Sequence, residues 1–171
     1  MTMTTLETVN YELYTPPTSP VVPTELEEIV AVTQGVKMIP LSGEKLQEHE
    51  LAIIAKLGER VIGYCAKTYD YFEHKPKLME VGSVTVVKDH RKEGIATEMV
   101  LEVTSLVHGL GHGAIAFCND ASASIFEKAG YIPATEEQIP KESIDNCSSC
   151  PMQKSHKNGI CCDKIYINTA E

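Results

Sequence analysis

The sequence has no long apolar run. Its uninterrupted stretches are short, such as Ile29-Val30-Ala31-Val32, far below the roughly 20 residues that span a bilayer, so membrane insertion is not expected. It has no basic residue before Lys37, so the charged flank of a standard secretion signal is missing and a cytoplasmic location is expected. It is poor in positive charge overall, with 15 Lys and Arg against 24 Asp and Glu, a formal charge of −9. That balance leaves no footprint for a phosphate backbone and argues against nucleic acid as a partner. Tryptophan is absent and aromatics make up 6%. What is present is 171 residues, 43% of them apolar and 23% charged, the size and mixture of one globular domain. Six cysteines without an export signal point to reduced thiols or metal ligands rather than a disulfide scaffold, and four of them crowd between Cys147 and Cys162.

The chain divides unevenly. Residues 1–23 hold six Thr and four of the nine Pro without an apolar period, the composition of a flexible tail. Tyr11, Leu13 and Tyr14 within it offer an edge strand as the other reading. Residues 24–171 form the expected domain, with a cysteine-rich connection over 145–163. Thr24, Glu27 and the following Ile29, Val30 and Val32 predict a capped helix closed by Gly35. Two β-type runs, 51–56 and 61–66, flank Leu57-Gly58-Glu59-Arg60 and predict a hairpin. A loop over 69–76 leads to a strand from Met79 to Val87. From Ile95 through Met99, Val100, Val103, Leu106, Val107 and Leu110 the apolar residues recur at helical spacing. A buried strand at 114–118, a helix at 121–129 stopped by Gly130, a strand from Tyr131 and a last strand at 164–167 complete a mixed α/β domain.

One segment carries chemistry. Val84 to Thr97 reads as a strand, a turn and a helix whose start is built on Gly94 and Ala96. Small residues there let an anion approach the uncapped N–H groups of a helix N-terminus, where the macrodipole favours negative charge. Arg91 adds a permanent cation suited to phosphate oxygens. The pattern predicts a pyrophosphate seat.

These residues resemble the GNAT superfamily of N-acetyltransferases, whose Arg-x-x-Gly-x-Gly/Ala signature is matched by Arg91-Lys92-Glu93-Gly94-Ile95-Ala96. Glu80 to Val86 is similar to that family's preceding strand, and Asn119 with Ser124 to Tyr131 to its later helix and Gly-aromatic end. The resemblance covers about 36–167. It implies a GNAT fold with a mixed, mostly antiparallel sheet flanked by helices, and acetyl-CoA as cosubstrate. Backbone near Val84 and Val86 would hold the pantetheine arm, Arg91, Lys92, Glu93, Gly94, Ile95, Ala96 and Thr97 the pyrophosphate, and Asn119 the pantetheine or the acceptor.

Within the superfamily the sequence is most similar to the N-acetylglutamate synthase type, through Gly35-Val36 to Ser42, Ile139-Pro140, Asn146-Cys147-Ser148-Ser149-Cys150-Pro151 and Cys162-Asp163-Lys164. It departs at Leu41, where that type carries an Arg able to meet a substrate carboxylate. The implied activity is acetyl transfer to the amine of a small molecule, with an amino acid such as glutamate as one acceptor. A protein or peptide acceptor, and a non-catalytic module that senses acyl-CoA or binds a partner, are the alternatives, and self-association stays open.

Amine acetylation needs a base, and Glu80 stands where the family often places a carboxylate; an ordinary strand carboxylate is the competing reading. Many relatives use a Tyr as acid where this chain has Phe126, so the acid is unassigned. Cys118 reads as packing and His112 as a turn residue. Cys147, Cys150, Cys161 and Cys162 supply enough thiolates for a tetrahedral zinc site, with packed or surface thiols as the other reading.

Overall fold

Gly58 takes a left-handed φ of 58°, the backbone sign a tight hairpin turn needs. It joins β2 (Leu51–Leu57) to β3 (Arg60–Tyr71) as an antiparallel pair. The computed structural model describes residues 8–15, 46, 48–148, 162 and 164–169. Its remaining strands are β1 (Val9–Tyr14), β4 (Leu78–Val86), β5 (Gly113–Cys118), β6 (Ile132–Pro133) and β7 (Lys164–Asn168), and its helices α1 (Ile95–Gly109), α2 (Ala123–Lys128) and α3 (Lys141–Ser148). The seven strands form one sheet in the order β1-β2-β3-β4-β5-β7-β6. Only β4 and β5 run parallel, because α1 connects them as a crossover.

The apolar stripe of α1 explains which sheet face it covers. Met99, Val100, Val103 and Val107 are fully buried against Ile53, Ala55, Ile62, Met79 and Val81. The alternate residues of the same strands, Ala52, Ile54, Tyr64 and Ala66, pack on the other face with Tyr14 and Leu46. The continuous apolar runs of β2 and β3 follow from this, since strands covered on both faces need not alternate. A third cluster, Tyr71, Leu78, Ile115 and Ile167, lies under the β4–β5 junction. There Leu78 stands opposite Gly113, and a Cβ at Gly113 would lie 2.8 Å from the Leu78 Cδ2. Leu78 is fully buried and has little room to yield. Gly113→Ala should therefore cost about 1–3 kcal/mol of stability, read from the midpoint of urea unfolding; an unshifted midpoint would show that the junction can give.

The structure corrects the sequence reading in three places. The expected tail over 1–23 fails at Val9–Tyr14, which pairs along its whole length with β2 and buries Tyr14. The expected loop over 69–76 starts too early, because β3 continues to Tyr71. The cysteine-rich connection expected over 145–163 begins inside a helix, Lys141–Ser148, which contains Cys147. The helix expected after Thr24 and the segment from Gly35 to Ser42 that carries part of the family likeness lie outside the described residues. Among the described residues no helix is long and apolar enough to cross a membrane.

Candidate active site

β4 and β5 are paired only from Leu78 to Glu80 against Gly113 to Ile115. Beyond Glu80 the two strands part, and a bulge gives the cause. Ser83 and Val84 together stand opposite the single residue Cys65 of β3, and Ser83 takes a left-handed φ of 52°. Such an insertion bends and twists its strand and interrupts the ladder. The Val87 N–H donates to the Ile62 carbonyl at 2.9 Å, so alternation turns the polar groups of Val86 to the opposite edge, where no strand follows. Open backbone groups on a strand edge demand partners, and an extended amide-bearing ligand supplies them as an added strand would. Val84 lies in the bulge on this stretch, partly buried.

Past Val86 the chain makes a 3-10 turn, Lys88–His90, before α1. The Arg91 Nε donates to the Val86 carbonyl at 2.9 Å, which anchors an exposed guanidinium at the end of the open edge. Lys92 and Gly94 both have positive φ, 69° and 86°, and swing the chain into the helix. Gly94 is the N-cap and no side chain caps α1; a Cβ at Gly94 would meet nothing within 4 Å. Open space above uncapped first-turn N–H groups, beside a fixed guanidinium, fits a diphosphate. Ile95 is buried in the core, Ala96 and Thr97 are half-buried, and the Glu93 carboxylate turns toward the His90 Nδ1 at 3.3 Å.

Glu80 lies at the other end of the parted strands, six residues before Val86. At about 3.3 Å per residue that is roughly 20 Å, so a ligand touching both must be extended. The Tyr71 hydroxyl donates to the Glu80 Oε2 at 2.7 Å, and the Thr68 hydroxyl lies 3.5 Å from the Glu80 carbonyl oxygen. Burial pushes the Glu80 carboxyl above the ordinary carboxylate range, and the hydrogen bonds from Tyr71 and Thr68 oppose that rise. Near it Cys118 is pushed up to about 11, first by burial, and is a protonated thiol at neutral pH. The Asn119 Oδ1 accepts the N–H groups of Ala121 and Ser122 at 2.9 and 3.2 Å, so that oxygen shapes the turn into α2. Phe126 is buried edge-on to Tyr131 and has no proton to donate. The Tyr131 hydroxyl pairs with Thr104 at 2.6 Å inside the core.

A cleft of about 370 Å3 opens at the far end of β3, lined by Glu48, Glu50, Lys67, Thr68, Tyr69, Asp70 and Phe72. Its ammonium, Lys67, is buried and held by the carboxylates of Glu50 at 2.6 Å and Asp70 at 2.7 Å. Thr68 belongs both to this wall and to the surroundings of Glu80.

The expected thiolate cluster falls largely outside the described residues: Cys150, Cys161 and the side chain of Cys147 lie there, and Cys162 is partly buried. Among the described residues no three metal-ligating side chains gather into a site. Sequence reasoning missed Tyr71 and Thr68, whose contact with Glu80 depends on strand register.

A family model described as the acetyltransferase (GNAT) family matches residues 9–131. None of the curated proteins matches the sequence. Solved structures share the fold at low identity. N-acetylglutamate synthase from Neisseria gonorrhoeae, complexed with coenzyme A and N-acetyl-glutamate, is 16% identical with a TM-score of 0.70, over 93% of this chain and 35% of that one. Rv2747 from Mycobacterium tuberculosis, in complex with CoA and NLQ, is 16% identical with a TM-score of 0.66, over 86% and 93%. NAA60 from Arabidopsis thaliana, in complex with acetyl-CoA, is 16% identical with a TM-score of 0.58, over 75% and 88%.

Proposed function

The chain belongs to the acetyltransferase (GNAT) family, and from that premise we propose that it transfers acetyl from acetyl-CoA to the amine of a small molecule, with Glu80 as the general base. One observation carries this reading: the parted strands β4 and β5 leave an open edge with an anion seat at one end and a partly buried carboxylate at the other. The seat residues Arg91 to Thr97 would hold the pyrophosphate. The backbone of Val84 and Val86 would hold the pantetheine arm, with an N–H near Val84 polarising the thioester carbonyl. Glu80 takes a proton from the acceptor ammonium; the neutral nitrogen attacks the carbonyl carbon, the C–S bond breaks, the CoA thiolate leaves, and the second proton shed by the nitrogen as the amide forms passes to that thiolate. A thiol of ordinary pKa, about 8.5, is acidic enough to leave without a proton donor, which agrees with a phenylalanine at 126.

Arg91→Ala should weaken acetyl-CoA binding by about 1–3 kcal/mol, the worth of a charge-assisted contact, read by calorimetric titration; unchanged affinity would refute its place at the pyrophosphate.

The sequence resembles the N-acetylglutamate synthase type through the segments ending in Ser42 and Pro151. Against glutamate itself stand Leu41 in place of an Arg and the cleft beside Thr68, with the carboxylates of Glu48, Glu50 and Asp70 against the one ammonium of Lys67. That balance favours a second reading, an acceptor arriving with positive charge, such as a polyamine or a basic peptide. Thiol release from acetyl-CoA against a panel of amino acids, polyamines and peptides separates the readings. Turnover confined to acidic amino acids would overturn the second, and acetyl-CoA binding without turnover on any amine would overturn both in favour of a non-catalytic module.

A further inference from the structure

We infer that Tyr71 is a positioning residue for acetyl transfer, its hydroxyl fixing the Glu80 carboxylate in one orientation and favouring its ionised form. The inference rests on the reading of Glu80 as the base. Tyr71 is the last residue of β3, 1% exposed, with its ring set against Tyr69 at 4.8 Å and Phe117 at 6.3 Å between centroids. Burial and packing against two rings hold the side chain in place, so its hydroxyl is a positioned donor. It points at the Glu80 Oε2 from 2.7 Å.

The surroundings make this donor matter. The titratable groups that face Glu80 are Tyr69 and Tyr71 from β3 and Cys118 from β5. Among the described residues no Lys, Arg or His forms an ion pair with it. With no cation among the described residues to hold the carboxyl ionised against burial, that task falls there to neutral donors. Of the two donors, Tyr71 and Thr68, Tyr71 is the one that holds the Glu80 Oε2, at 2.7 Å. A base must be ionised to accept a proton, so removal of the hydroxyl moves its working range to higher pH.

The test compares wild type, Tyr71→Phe and Glu80→Gln by kcat/KM as a function of pH, with the 13C resonance of the Glu80 carboxyl, assigned by its loss in Glu80→Gln, followed through the same titration. In Tyr71→Phe the acid limb moves up in pH, so activity relative to wild type falls about tenfold further at the foot of the limb than on the plateau, the worth of one hydrogen bond to a charged group. The Glu80 resonance moves with it, and 3-fluorotyrosine at position 71 restores the wild-type profile. A role in packing alone would lower activity by the same factor at every pH and leave the resonance where it was, and that outcome overturns the inference. Loss of activity in Glu80→Gln with an unmoved limb in Tyr71→Phe removes Tyr71 while keeping the base; full activity in Glu80→Gln removes both.

Discussion

Glu80→Gln should lower kcat on the best acceptor by about 10²–10⁴-fold, the usual worth of a positioned general base, while acetyl-CoA affinity stays unchanged. The amide keeps the size of the side chain and an oxygen that accepts from the Tyr71 hydroxyl, so the fold at the β4–β5 junction is preserved and the loss isolates proton transfer. Acetyl-CoA affinity is the internal control, because the seat at Arg91 to Thr97 begins eleven residues after Glu80, beyond the end of β4 at Val86. The pH profile supplies a second readout. Burial holds the wild-type carboxyl above the ordinary carboxylate range, so wild-type kcat/KM rises with pH through a limb displaced upward from that range. The variant has no such limb. Turnover equal to wild type, with the limb still present, would assign the base elsewhere.

Much of the frame was legible in the sequence because it is locally encoded. Gly58 between two β-type runs announces a hairpin, and the helical spacing from Ile95 to Val107 announces the stripe that is buried. The segment proposed as the anion seat stands out in the sequence for the same reason, since its glycine, cation and helix start lie within seven residues. What escaped depends on distant pairing. β1 finds its partner β2 some forty residues later; Tyr11, Leu13 and Tyr14 offered an edge strand, but the Thr- and Pro-rich composition around them favoured a tail. The Tyr71–Glu80 pair escaped through a single inserted residue. Lys67 stands opposite Val81 and Tyr69 opposite Glu80, so Thr68 is extra on its strand. Without that bulge Thr68 and Asp70 would share a face with Glu80, and both tyrosines would turn to the other side. Nothing in the local sequence marks the insertion, whereas in three dimensions it decides which hydroxyl meets the Glu80 carboxylate.

The anion seat offers the other large effect. Gly94→Val should weaken acetyl-CoA binding by about 2–4 kcal/mol, or roughly 30- to 1,000-fold. Two separate costs combine in it. Gly94 holds a φ of 86°, a conformation that a β-branched residue resists. The space above it is empty to 4 Å, and any side chain there occupies the approach to the first-turn N–H groups. Gly94→Asn separates the costs, because Asn tolerates the left-handed region yet fills the same space. The Asn variant should unfold close to the wild-type temperature and still bind acetyl-CoA at least tenfold more weakly, the loss expected when an anion is kept from a helix N-terminus. The Val variant should lose both stability and affinity. If Asn left affinity intact while Val destroyed it, the glycine would be serving the turn alone, and the diphosphate would have to sit away from the start of α1. If both variants bound acetyl-CoA as wild type does, the seat would not belong to this segment at all.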